Sequence, residues 1–278
     1  TTLFRSPEKE SSVHLLFETT DASNPNQLHR LSEWITQNPS AIAFLARGAY
    51  LNKRGQLLRG SAPTSDTPAL NLDLMAAVHL RASTDLQQAI KLDPRLLPAY
   101  THLLEVAKYS PKLKIDTGKL LSSATRRHPL AFAPRKRYLD LLSPAWGGSL
   151  NAMERFAQSF DSVAKSNPLL WTLRAEVHYE KAESLPKSEA RQKAVELTAA
   201  LRYANYGRFY ESRAQAYLAL NQLGDAIADL ERCALGESEL VKGQSEPQTS
   251  CKTLLASTRS TALAAPRTEG KSQQGEKK

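Results

Sequence analysis

A dense group of basic side chains lies in the middle of the chain, between Lys108 and Arg137. This stretch holds nine lysines and arginines and one acid, Asp116, so it carries eight of the nine net positive charges of the 278-residue chain. Three tyrosines bracket it: Tyr100, Tyr109 and Tyr138. Cations beside aromatic rings suit a carboxylate-bearing peptide, and they also suit single-stranded nucleic acid through base stacking. Confinement of the charge to one stretch disfavours nucleic acid, and a solvated outer face is the simplest alternative.

Other reactive residue types are dispersed. His102 and Glu105 are three positions apart and could seed a metal site, although a solvated or hydrogen-bonded pair is the favoured interpretation. The chain contains no G-x-S-x-G, no glycine-rich phosphate loop, no H-E-x-x-H and no closely spaced cysteine pair. We therefore predict a protein that is not an enzyme and has neither a cofactor nor a metal site.

The two cysteines, Cys233 and Cys251, are 18 positions apart, a spacing that matches no zinc motif. They would form a disulfide in an oxidising compartment and remain free thiols in a reducing one. The sequence begins at Thr1 without Met. Together these features favour a bacterial periplasmic or exported protein, with a cytoplasmic location as the alternative. No apolar run reaches the roughly 18 residues of a membrane-spanning helix.

A proline motif organises the elements that position these residues. A polar residue followed by proline separates two amphipathic segments at four places: Asn38-Pro39, Asp93-Pro94, His128-Pro129 and Asn167-Pro168. Proline forces the preceding residue out of the α region, so one helix ends and another begins at each motif. The prolines are 55, 35 and 39 residues apart, and periods of about 20 to 50 residues are typical of stacked helical repeats.

Composition then divides the chain. We predict a flexible N-terminal arm at residues 1–25 and a helical repeat domain at 26–236, with a proline-rich loop insertion at 59–71. A linker with a weak capping helix follows at 237–266. The Lys-, Gln- and Gly-rich residues 267–278 are predicted to be a disordered polar tail.

The last helical pair resembles a tetratricopeptide (TPR) repeat. Aromatic, small and large apolar residues recur there at the family's spacings: Tyr210, Ala214, Tyr217, Gly224-Asp225-Ala226, Leu230 and Cys233. The segment with Ala82, Leu86, Ala89 and the closing Leu92-Asp93-Pro94 resembles the second half of such a repeat. The resemblance implies an all-α fold, an α-solenoid of about five TPR-like antiparallel helical hairpins.

A narrower resemblance covers roughly residues 40–205. Pro144 to Ser149 (PAWGGS), together with the segment from Asp93 to Tyr100, is similar to a bacterial TPR-containing domain family of unknown function. That similarity implies a fold and no activity.

In TPR-like arrays the first helix of each hairpin lines the concave face. We therefore expect partner contacts from the following residues: Tyr100, Thr101, Glu105, Lys108, Tyr109, Arg135, Lys136 and Asp140. The tryptophans Trp34, Trp146 and Trp171 are expected to pack rather than to bind. The leading hypothesis is a non-enzymatic adaptor that holds a partner protein or peptide, acidic near residues 108–137. The alternatives are a binder of anionic polymer (RNA or polysaccharide) through that segment, and a stoichiometric inhibitor of a partner enzyme.

Overall fold

The computed structural model describes residues 22–235 and 247–264, which form thirteen α-helices and contain no strand. The helices are α1 (Pro25–Gln37), α2 (Ala41–Arg59), α3 (Ala69–Leu92), α4 (Leu97–Tyr109), α5 (Thr117–Arg127), α6 (Ala133–Leu141), α7 (Leu150–Gln158), α8 (Asp161–Ala164), α9 (Thr172–Ser184), α10 (Ala190–Leu201), α11 (Gly207–Ala219), α12 (Leu223–Leu235) and α13 (Pro247–Ala264). The predicted all-α class is confirmed. Most of the predicted arm at 1–25 and the whole tail at 267–278 lie outside the described residues.

The chain divides into two compact units, one up to Leu173 and one from Arg174 onward. The loop predicted at 59–71 is shorter in the structure, because α3 already begins at Ala69. A 3-10 turn at Thr64–Asp66 occupies part of that loop. None of the helices in the described ranges combines the length and apolar character required to cross a bilayer.

Three of the four proline motifs end an α-helix as predicted; before the fourth, α8 already ends at Ala164, and Asn167 caps the 3-10 turn Pro168–Trp171 instead. Asn38, Asp93 and His128 are the C-terminal caps of α1, α3 and α5. In two motifs the polar side chain also closes a turn over the proline. The carboxylate of Asp93 accepts the backbone N–H of the residue after Pro94 at 3.0 Å, and Asn167 Oδ1 accepts the equivalent N–H at 3.1 Å. Such turns stabilise a proline-containing break between helices.

Successive motifs are also hydrogen-bonded to one another. His128 Nε2 donates to the carbonyl of Arg95 at 2.9 Å, and Asn167 Nδ2 donates to the carbonyl of Leu130 at 2.6 Å. In both cases the donor precedes a proline, and the acceptor immediately follows the proline of the preceding motif. We call these two bonds the proline ladder. The ladder begins at the Asp93-Pro94 motif, because Asp93 has no side-chain N–H with which to donate to an earlier motif.

Helices α2 and α3 form the first antiparallel hairpin of the first unit. A Cβ on Gly48 would lie 2.7 Å from Leu86 Cγ, and one on Gly55 would lie 2.3 Å from His79 Cδ2. Residue numbers rise along α2 while those of the contacted residues fall along α3, which is antiparallel pairing. Glycine at these two positions permits the close approach of the helices.

A bidentate Arg–Asp ion pair joins the two helices of a hairpin in each unit. Arg47 on α2 donates through Nε and Nη2 to the carboxylate of Asp85 on α3, at 2.7 and 2.8 Å, and through Nη1 to Ser32 Oγ at 3.4 Å. In the second unit, Arg213 on α11 makes two bonds of 2.7 Å to Asp229 on α12. Its third donor reaches the hydroxyl of Thr198 on α10 at 3.0 Å. The units thus share one repeat design.

The TPR-like residues of the second unit pack together. The fully buried Ala214 and Ala226 lie on the facing helices α11 and α12, and Tyr210 and Leu230 belong to the same apolar cluster. Small residues at such a crossing let the helices approach, while large ones fill the remaining space. The hairpin therefore has the TPR-like packing that its sequence predicts.

A disulfide fastens α13 to this hairpin. Cys233 on α12 and Cys251 on α13 are bonded, with their Cα atoms 5.9 Å apart and both side chains buried. Leu254 and Leu255 extend the apolar contact along α13. Glu211 lies close enough to both sulfurs to suggest a metal site, but the disulfide occupies both sulfurs.

Candidate partner-binding surface

Helices α4 and α6 pack against each other and bring predicted contact residues together. Lys136 Nζ lies 2.5 Å from Asp140 Oδ1 on the same helix, one turn away. Arg137, also on α6, reaches Glu105 Oε1 on α4 at 3.5 Å and Asp140 Oδ2 at 3.9 Å. These four side chains are all partly buried, so they form a mixed-charge rim rather than a fully solvated patch.

Glu105 is held from two further directions. The buried Asn52 on α2 donates through Nδ2 to Glu105 Oε2 at 2.7 Å and lies 3.3 Å from His102 Nδ1. Burial alone would raise the pKa of Glu105, but the charge of Arg137 and the neighbouring His102 and Asn52 outweigh it and hold this pKa well below its usual range. His102 and Glu105 are therefore part of a hydrogen-bonded network that joins α2, α4 and α6.

Lys108 lies against a pair of aromatic rings. Its Nζ is 4.7 Å from the ring centroid of Tyr109 and 5.0 Å from that of Trp146. The two rings meet edge to face at 5.1 Å, and Arg59 Cζ lies 5.9 Å from the tyrosine ring. Burial lowers the pKa of Lys108, against the opposing attraction of Asp140. We call Arg59, Lys108, Tyr109 and Trp146 the Lys108 cluster.

A tight turn presents Trp146 to this cluster. The 3-10 turn Pro144–Trp146 is followed by Gly147, whose φ of 85° favours glycine. A Cβ on Gly148 would lie 2.1 Å from the carbonyl oxygen of Leu142, so this position also requires glycine. Trp146 remains 36% exposed. The expectation that it only packs is therefore too narrow, because part of its ring is accessible.

Three of the predicted contact residues are buried. Tyr100 and Thr101 are each 1% exposed, and their hydroxyls donate to carbonyls of Pro94 and Leu97 at 3.0 and 3.3 Å. Arg135 is 4% exposed and donates to backbone carbonyls, including that of Pro129 at 2.8 Å. Their burial removes all three from the accessible surface. For Tyr100 and Thr101 the reason is that α4 is covered by α2, α3, α5 and α6. The remaining five predicted residues are partly accessible: Glu105, Lys108, Tyr109, Lys136 and Asp140.

The basic stretch itself is divided by the fold. Lys108, Lys136 and Arg137 belong to α4 and α6 and are partly buried. The remaining accessible cations lie on or just before α5 and are exposed: Lys112, Lys114, Lys119, Arg126 and Arg127. One run of sequence charge thus forms two separate groups of cations in the first unit.

Comparison with known proteins adds only fold-level similarity. No protein-family model matches the chain, and no curated protein matches it in sequence. The narrower resemblance at residues 40–205 therefore stays a prediction.

Several solved structures align with the chain at low identity. A chain of the APC/C hetero-tetramer Cut9–Hcn1 gives a TM-score of 0.45 at 16% identity, over 92% of this chain and 42% of that one. Yeast Tom70 gives 0.45 at 14% identity, over 94% of this chain and 62% of Tom70. A tetratricopeptide repeat protein from Parabacteroides merdae gives 0.39 at 13% identity, over 91% and 98%. This chain spans less than two thirds of the first two proteins. The described residues form helical hairpins, and the last of these has TPR-like packing by its own contacts.

Proposed function

We propose that this protein is a protein-interaction scaffold that binds an acidic segment of a partner at the Lys108 cluster and the adjoining rim of α6. The observation that carries the proposal is the ammonium of Lys108 against the rings of Tyr109 and Trp146, with part of the tryptophan accessible. A partly desolvated cation beside aromatic rings offers both charge and apolar contact to a carboxylate-bearing side chain.

The rim provides the second contact. Lys136 Nζ already binds a carboxylate, that of Asp140, at 2.5 Å. A carboxylate of the partner can take the place of Asp140 there. Counting Arg59, Lys108, Lys136 and Arg137 against Glu105 and Asp140, this surface carries two net positive charges. That sign favours acidic partners and makes association sensitive to salt.

The test is capture of partners from native lysate on immobilised protein, with washes at low and high salt. We expect a Lys108→Glu, Lys136→Glu variant to lose the wild-type partner, with affinity reduced about tenfold or more, and to show a weaker dependence on salt. Arg30→Glu, Lys165→Glu is the matched control, because it changes the net charge equally and both residues are exposed elsewhere in the same unit. Arg135 is left intact because its burial makes a structural loss certain. Equal capture by both variants contradicts the proposal.

The anionic-polymer hypothesis has one observation in its favour, the exposed cations on and before α5. Heparin or short RNA that displaces the captured partner at physiological salt would support it. An inhibitor of a partner enzyme differs from a scaffold only in its effect on that enzyme, so an activity assay on the captured partner separates the two.

A further inference from the structure

A groove of about 440 Å³ opens between α3, α4 and α5 of the first unit. Its volume lies in the range of small-ligand and side-chain pockets. The lining is mainly apolar, and the residues that supply it are Ile90, Leu103, Leu113, Ile115 and Leu120. All of these except Leu103 are only half-buried, so the groove presents apolar surface that the hairpins do not cover among themselves.

One wall of the groove is a basic edge. Lys119, Ser123 and Arg127 line it at four-residue intervals along α5. With a rise of about 1.5 Å per residue, the two cations are about 12 Å apart along the helix. Lys114 adds a third cation beside Lys119. In the described part of the chain, neither lysine is paired with a carboxylate.

The turn before α5 holds this edge in place. Lys114 has φ 50° and ψ 40°, the left-handed region that residues other than glycine rarely adopt. Its N–H donates to the carbonyl of Pro111 at 3.1 Å. The one acid in the lining, Asp116, accepts the backbone N–H of Lys119 at 2.9 Å as the cap of α5. Its negative charge therefore serves the helix N-terminus.

We infer that this groove is a second docking site, which binds an extended partner segment with one apolar side chain between two carboxylates about 12 Å apart. In an extended chain, residues i, i+2 and i+4 project to the same side, and the outer two are about 13 Å apart. An acid–x–Leu–x–acid segment therefore places its leucine on the apolar floor while its acids reach Lys119 and Arg127. The inference rests on the proposed function as a partner-binding scaffold, and it adds a separate surface.

Other occupants fit less well. A fatty acid has a single carboxylate and leaves one end of the basic edge unpaired. Single-stranded nucleic acid binds through base stacking on aromatic rings, and Tyr100, the aromatic residue in the lining, is buried with its hydroxyl bonded to Pro94. An acidic peptide satisfies both the charge and the apolar floor.

The probe is a fluorescein-labelled synthetic peptide, Gly-Ser-Glu-Ser-Leu-Ser-Glu-Ser-Gly, followed by fluorescence anisotropy with the full chain. We expect saturable binding that weakens about tenfold or more in Lys119→Glu, Arg127→Glu. Lys112→Glu, Arg126→Glu is the matched control, because it changes the net charge equally and both residues are exposed on or just before α5 without lining the groove. Peptides with the leucine changed to Ser, or with the second Glu changed to Gln, should bind the wild type as weakly as the original peptide binds Lys119→Glu, Arg127→Glu.

Several results would overturn the inference. The first is no binding to the wild type, and the second is equal binding by the single-acid peptide. The third is an equal loss of affinity in the Lys112→Glu, Arg126→Glu control. The fourth is displacement of the peptide by dodecanoate or short RNA at a lower concentration than by unlabelled peptide. The Lys108→Glu, Lys136→Glu variant separates this site from the proposed function. If this variant loses partner capture but binds the peptide normally, the proposed function and the groove site both hold. If this variant loses partner capture and the wild type does not bind the peptide, the proposed function holds and only the groove site is excluded.

Discussion

Asn167→Asp changes one atom type in the proline ladder and leaves the shape of the side chain unchanged. Asn167 is fully buried, donates to the carbonyl of Leu130 at 2.6 Å, and accepts the N–H of Leu169 at 3.1 Å. Aspartate keeps the accepting oxygen but sets a second oxygen against the carbonyl. The substitution therefore removes the hydrogen-bond donor and keeps the acceptor. When ionised, it also places a buried negative charge where a donor is required.

The loss of unfolding free energy in Asn167→Asp has an upper limit. The folded variant can bind a proton instead of burying the charge, and a protonated carboxyl again donates to Leu130. Holding a carboxyl of ordinary pKa about 3.9 protonated at pH 7 costs about 1.4 kcal/mol per pH unit, or about 4 kcal/mol. A lost hydrogen bond together with an unsatisfied buried carbonyl costs about 2 kcal/mol. We therefore expect Asn167→Asp to lose about 2 to 4 kcal/mol of unfolding free energy at pH 7.

The pH dependence has a definite sign. Burial beside a carbonyl raises the folded-state pKa of the new carboxyl above its unfolded value. The stabilising hydrogen bond is then fully present below about pH 3.9 and is lost as pH rises through the raised pKa. Urea unfolding followed by helical circular dichroism, variant against wild type from pH 7 down to about pH 4, should show the difference shrinking toward zero.

The chain supplies a matched control for this substitution. Asn24 also precedes a proline and accepts the N–H of Asn26 at 3.0 Å, but its side chain is exposed. Asn24→Asp should change the unfolding free energy by less than about 0.5 kcal/mol, or stabilise slightly as an acidic cap of α1. Similar losses in both variants, or a loss at Asn167 that does not diminish at low pH, would refute the role assigned to the ladder.

Three further predictions concern stability. Asp229→Ala should cost about 3 kcal/mol, because it leaves the guanidinium of Arg213 without its buried partner; hydrogen exchange of the α11 and α12 amides measures this, and a cost below about 1 kcal/mol contradicts it. Replacing Cys233 and Cys251 with Ser should lower the stability of the second unit by about 3 kcal/mol for an 18-residue loop; unchanged thermal unfolding with and without reductant would exclude this. Burial lowers the pKa of His79, so the unfolded chain binds the proton more tightly and unfolding free energy should fall as pH drops below about 6.5; a His79→Gln variant with an equally steep decline would show that other groups cause it.

Sequence patterns predicted the helices well because their signals are local. Three of the proline motifs fix a helix end through the backbone of two residues, and the small and large residues around Ala214 and Leu230 mark one helix crossing. These features need no knowledge of distant neighbours. Helices α1, α3 and α5 consequently end at their proline motifs.

The site was predicted less completely because burial depends on how many helices surround a residue. Tyr100 and Thr101 share α4 with Lys108, yet α4 is covered on most sides and only its C-terminal end is accessible. Glu105 is fixed by Asn52, 53 positions earlier in the chain. The position of Trp146 beside Lys108 likewise depends on the turn at Gly148 rather than on an apolar stripe.

The repeated ion pairs could have been found by aligning the chain with itself. Ser32 precedes Arg47 by 15 positions, and Thr198 precedes Arg213 by the same 15. The matching acids are 38 and 16 positions after their arginines, because the long α3 and its preceding loop separate the first pair. That unequal spacing hides the correspondence from a search at fixed period.

Helix α13 has a consequence for self-association. Each hairpin of a repeat protein has two apolar sides, and a side left bare at the end of an array can pair with another molecule. Cys251, Leu254 and Leu255 cover the outer side of α12, and the disulfide prevents this cover from separating. The bond therefore keeps that side of α12 covered, and reduction would allow α13 to separate and leave an apolar surface open to a second molecule.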